Sequence, residues 1–119
     1  MISLWTIEYS VHAEQDLELI AQHLFDAYCT FGEPGPQAYA HVEARIRGLN
    51  AAVQRLVDTP FIGTLRADLL PGLRYLRRDG AAIWFVPVEE RQAILVLAIF
   101  FGSQDHMRRM LARLLGDMS

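Results

Sequence analysis

Apolar and polar positions alternate at the start of the chain, where Trp5, Ile7 and Tyr9 are separated by Thr6 and Glu8. That is the period of a half-buried strand. The period then lengthens. Leu17, Ile20, Ala21, Leu24, Phe25 and Tyr28 recur at three- and four-residue spacing, with Gln15, Glu18, Gln22 and Asp26 mostly on the other face, which predicts an amphipathic helix. Ser10 is placed to accept a hydrogen bond from a first-turn N–H, and Glu14 and Asp16 put negative charge near the positive helix end. Gly32 and Pro34 stop this helix. Pro36 suits the first turn of a second one, where its missing N–H is no loss. Tyr39, Val42, Ile46, Leu49, Val53 and Leu56 then form a narrow apolar seam, so an antiparallel helical hairpin is expected, closed by Pro60.

Gly63, Pro71 and Gly72 mark a loop of turns after the hairpin. Three apolar runs follow, Leu73 to Arg78, Ala81 to Val88 and Ala93 to Phe101, joined by Asp79-Gly80 and by Glu89 to Gln92. These read as a three-stranded meander. Ser103 is placed to cap a last helix with Met107, Met110, Leu111 and Leu114 on one face and Arg108, Arg109 and Arg113 mostly elsewhere. The order β-α-α-β-β-β-α predicts an α+β fold, a helical hairpin packed on a small antiparallel sheet. At 119 residues and 52% apolar, the chain is expected to form one domain over its whole length. Ala93 to Phe101 is too short an apolar run to span a bilayer. The N-terminus MISLWTIEYS has no basic region ahead of an apolar stretch, and a cytoplasmic location is expected. Cys29 is the only cysteine, which excludes an internal disulfide; a lone thiol in a helix is more often packing than chemistry, and no role is assigned to it.

The net charge of −3 conceals an asymmetry. Residues 1–60 hold eight acids against three arginines; the remainder holds eight arginines against six acids, and lysine is absent throughout. Proteins that grip phosphate backbones carry a clear basic excess, so direct, tight nucleic-acid binding is not expected. Arg74, Arg77 and Arg78 form the one functional-looking cluster, able to offer guanidinium groups to a carboxylate or phosphate partner. Arg74 and Arg78 share a face if this segment is a strand, with Leu76 between them. His12, His23, His41 and His106 form no pair at metal-ligand spacing on one helix, and no metal or cofactor is expected. Gly32-Glu33-Pro34-Gly35 is no phosphate loop, since its prolines lack N–H donors and no lysine follows. Ser3, Ser10, Ser103 and Ser119 have no evident base and acid partners. Met107, Met110 and Met118 suit either a docking surface or packing on the sheet, and packing is the simpler account.

Two sets of residues carry a family resemblance. Ser10, Ala13, Asp16, Leu17 and Ile20 after the first strand, and Pro60, Ile62, Gly63, Pro71, Gly72, Leu73 and Arg74 in the stretch PFIGTLRADLLPGLR, resemble the RelE/ParE superfamily of toxins from bacterial toxin-antitoxin systems. The resemblance runs from Trp5 to about Leu115 and implies the fold already expected. It implies a growth-inhibiting toxin neutralised by a cognate antitoxin. The superfamily contains RelE-like endonucleases that cleave mRNA on the ribosome and ParE-like proteins, often plasmid stabilisation proteins, that inhibit DNA gyrase. Where the nucleases carry an arginine, then an arginine and an aromatic or histidine, this chain resembles them only in position, with Ala82, Gln104 and Met110. None of these holds a phosphate's charge or moves a proton. The resemblance therefore favours the ParE-like branch, with inhibition by protein contact, a cognate antitoxin and DNA gyrase as partners, and Arg74, Arg77 and Arg78 as contact residues. A RelE-like nuclease and an inactive homologue acting only in an autoregulatory antitoxin complex are the alternatives. The loop from Tyr28 to Gln37 reads as longer than a minimal family hairpin turn.

Overall fold

A computed structural model describes residues 4–102 and 105–117. Strand β1 (Thr6–Tyr9) leads into the hairpin of α1 (Val11–Thr30) and α2 (Gly35–Gln54), which ends in a 3-10 turn, Arg55–Val57. Strands β2 (Thr64–Leu65), β3 (Arg74–Arg78), β4 (Ala81–Val88) and β5 (Ala93–Phe101) follow, and α3 (His106–Asp117) comes last. The α+β order is the expected one with β2 added. The sheet runs β1-β5-β4-β3-β2, with β1 parallel to β5 and the other pairs antiparallel. It is thus mixed rather than wholly antiparallel: the meander forms its centre, and β1, at the far end of the chain from β5, pairs beside it.

Local chemistry accounts for the boundaries. The Ala13 N–H donates to Ser10 Oγ at 3.0 Å, and the Ser10 hydroxyl donates to the Leu97 carbonyl, so one side chain both starts α1 and ties it to β5. At the other end, the Phe31 and Gly32 N–H groups still bond to the Ala27 and Cys29 carbonyls, and α2 starts at Gly35. The connection is therefore only residues 31–34, a tight turn instead of the longer loop expected from Tyr28 to Gln37. Asp79 and Gly80, both at positive φ (52° and 77°), make the two-residue turn that the right-handed strand twist favours. Gly63 is obligatory for a different reason. At φ +90° it passes so close to β3 that a Cβ would lie 2.4 Å from the Tyr75 carbonyl oxygen. That approach lets residues 64 and 65 pair with Tyr75 and Arg74, in a segment that sequence read as turns alone.

Two apolar clusters lie on opposite faces of the sheet. Ile20, Leu24, Val42, Leu49 and Val53 of the hairpin pack on Ala81, Ile83, Phe85, Ile94, Val96 and Ile99. On the other face, Met110 and Leu114 of α3 cover Ala82, Trp84, Ala98 and Phe100. A β-bulge permits this division. Trp84 pairs with Ala98 but Phe85 pairs with Val96, leaving Leu97 as the extra residue, so that Ile94 and Val96 share a face with Ile99. The expected α2 seam is correct from Val42 onward, whereas Tyr39 is 61% exposed and Ala38 takes the inward position. Cys29 is exposed near the end of α1 and has no packing role.

Candidate functional site

The three arginines of β3 do not form one clamp. Arg74, Leu76 and Arg78 pair with Phe85, Ile83 and Ala81, residues of the hairpin-side cluster, while Tyr75 and Arg77 pair with Trp84 and Ala82 of the other. Arg74 and Arg78 thus share a face with Leu76 between them, and Arg77 points to the α3 side. Arg74 Nη1 donates to the Phe61 carbonyl at 2.7 Å, and its guanidinium lies 5.6 Å from the Phe61 ring centroid. This arginine anchors the turn after α2 to β3. Arg78 donates to the Arg77 carbonyl and extends, exposed, beside the two-residue turn.

Ala82 and Met110, each about 1% exposed, sit beneath α3 in the second core cluster. Gln104, Ser103 and Met118 lie outside the described residues, as do Ser3 and Ser119. On the α3 face lies His106, which the sequence leaves as a solvated or packing histidine and which is packed here. It opens α3 at 6% exposure and meets Tyr75 and Trp84 with ring centroids 4.9 and 5.5 Å away. Burial first, then the nearby Arg77 charge, hold its imidazole below the ordinary pKa. Among the described residues, His106 Nδ1 and Trp84 Nε1 are buried without a hydrogen-bond partner. His12, His23 and His41 are exposed, and His41 pairs with Glu33 at 2.8 Å.

The main polar feature that sequence misread is Asp16. Instead of complementing the α1 dipole, its carboxylate is 5% exposed and holds three elements together. The Ile99 N–H, on the part of β5 beyond the four residues that pair with β1, donates to Asp16 Oδ2 at 2.9 Å. Arg113 of α3 grips both carboxylate oxygens, at 2.7 and 2.8 Å, and also donates to the Leu97 carbonyl of the bulge. A fork-to-fork pair of this kind fixes direction as well as distance. The placement of Arg113 away from the apolar face was therefore wrong. The face of α3 against the sheet is His106, Met110, Arg113 and Leu114, and Met107 and Leu111, 37% and 43% exposed, belong to the next stripe around the helix. The signal lay in spacing: Asp16 falls three residues after buried Ala13 and four before buried Ile20, on the inner side of α1.

No protein-family model matches the chain. No curated protein matches it either. Among solved structures it is similar to a chain described as the chromosomal ParDE TA system from P. aeruginosa, with a TM-score of 0.60 at 20% identity, covering 86% of this chain and 100% of that one. The fold is therefore RelE/ParE-like, as the scattered motif residues implied. No helix among the described residues is long and apolar enough to cross a membrane.

Proposed function

We propose that the chain is the toxin of a type II toxin-antitoxin system, a single ParE-like domain over residues 1–119 that arrests growth in the cytoplasm by binding a protein target. The observation that carries this reading is the likeness to a ParDE chain over that chain's full length. The proposed target is DNA gyrase, and the proposed neutralising partner is a cognate antitoxin that lays an extended or helical segment over the sheet and hairpin. Arg74 and Arg78 on one side of β3, and Arg77 on the other, are the proposed contact residues for a partner that wraps this part of the sheet. Apolar Ala82 and Met110, where nucleases of the superfamily carry working side chains, support contact over catalysis. The reading is tested with purified chain in a gyrase supercoiling assay. Inhibition relieved by the antitoxin is the expected result, and full supercoiling at saturating chain rejects the gyrase target.

A RelE-like, ribosome-dependent mRNA endonuclease is the second reading. It is favoured by one observation, the placing of His106 beside Arg77 and Tyr75 with its pKa lowered. A neutral imidazole accepts protons and an arginine binds phosphate. Mapping transcript ends in cells making the chain separates the two readings: codon-positioned cuts support the nuclease, and intact transcripts during growth arrest support the gyrase inhibitor.

A further inference from the structure

The end of the molecule where the β3–β4 turn meets the C-terminal end of β5 carries an unusual charge for a protein of net −3. Three clefts adjoin there. The first, about 260 Å³, lies between α1, β5 and α3, is floored by Ile20, Ile99 and Phe101, and has Arg109 among its lining residues. The second, about 370 Å³, lies between the end of α2 and β3, floored by Ile62 and Leu76 and flanked by Arg55 and Arg78. The third, about 260 Å³, is lined by Arg45 and shares Gly48 and Asp79 with the second. Arg45 also lies 5.0 Å from the centroid of the Phe101 ring that lines the first cleft, so the three form one run.

Arg45, Arg55, Arg78 and Arg109 line this run, and among the described residues none pairs with a carboxylate. Outside the run, Arg66 pairs with Asp68, Arg91 with Glu8 and Arg113 with Asp16. Four unneutralised guanidinium groups over an apolar floor match a ligand with carboxylates spaced by apolar side chains. We infer that this surface docks an acidic peptide segment of a protein partner, its carboxylates on Arg45, Arg55, Arg78 and Arg109 and its apolar side chains in the clefts. Nucleic acid is the poorer fit. No lysine is present, and a phosphate backbone has no use for an Ile and Leu floor. The identity of the partner as an antitoxin rests on the toxin reading; the chemistry of the surface does not.

The test is an NMR titration of the full-length, ¹⁵N-labelled chain with a peptide of about ten residues alternating Glu and Leu, long enough to cross the clefts when extended. Amide shifts at Gly48, Asp79, Gly80 and Phe101, weakening with added salt, are expected. A Lys-Leu peptide of the same length is expected to give no shifts there. The double variant R45E/R78E is expected to weaken binding about tenfold, the loss of two exposed charge pairs. R108E, on an exposed part of α3 outside the clefts, is expected to leave binding unchanged. Absent shifts, shifts mapping to another surface, tighter binding of a single-stranded oligonucleotide, or equal effects of R108E and R45E/R78E each overturn the inference. Growth arrest that the antitoxin still neutralises in R45E/R78E refutes this surface alone. Peptide binding by a chain that never arrests growth refutes the toxin reading alone.

Discussion

Asp16 and Arg113 hold α1, β5 and α3 together through one largely buried ion pair. A buried carboxylate costs several kcal/mol to desolvate, and here the Arg113 fork and the Ile99 N–H offset that cost. Replacing Arg113 with methionine keeps the aliphatic bulk but strands the charge, and a loss of about 2–3 kcal/mol is expected, below the fully buried range because Arg113 is partly solvated. Urea unfolding reads this as a lower midpoint at unchanged slope. The double variant D16L/R113M removes the stranded charge as well, and is expected to recover part of the loss. His106 gives a separate signature. Its pKa is lowered in the fold, so below about 6.5 the unfolded chain binds a proton that the folded chain resists, and stability falls with falling pH until the lowered value is reached. H106F keeps an aromatic ring against Tyr75 and Trp84 and is expected to flatten that part of the pH–stability curve. A single sequence shows Asp16 on the inner side of α1 but not its partner, which lies 97 residues away.

At the scale of elements, strands with strong patterns were legible to the residue and weakly patterned ones were not. The runs Ala81 to Val88 and Ala93 to Phe101 match β4 and β5 because their ends are set by turn residues, Asp79-Gly80 and the four residues from Glu89 to Gln92. The bulge at Leu97 left no mark, since a continuous apolar run reads the same with or without a change of face. Strand β2 is two residues long, too short for any period, and exists because Gly63 brings it against Tyr75. Gly63→Ala forces a left-handed φ on a β-carbon and drives that carbon into a backbone carbonyl, so a loss above about 2 kcal/mol is expected in equilibrium unfolding. The docking of α3 was legible only in part. Met110→Ala opens a cavity beneath the helix and is expected to cost about 2–5 kcal/mol, whereas Leu111→Ala, on the exposed stripe, is expected to change stability by less than about 0.5 kcal/mol.

For the whole molecule, sequence and structure converge on the fold by separate routes. Periodicity led to the helical hairpin over a sheet, scattered motif residues implied a RelE/ParE-like chain, and the likeness to a ParDE chain supports both. The candidate site was less legible. Arg74, Arg77 and Arg78 are neighbours in sequence, but a strand sends alternate residues to opposite faces, and Arg74 is occupied by Phe61. The basic run of clefts instead gathers Arg45, Arg55, Arg78 and Arg109 from four elements, a grouping that no local pattern reveals. As proposed, the chain stops growth unless a partner neutralises it. The direct measurement is the growth of cells induced to make the chain alone and together with the product of the adjacent gene. Arrest by the chain alone, with recovery and a co-purifying complex when both are made, is the predicted result; unimpaired growth without the neighbour, and no complex with it, contradicts the account.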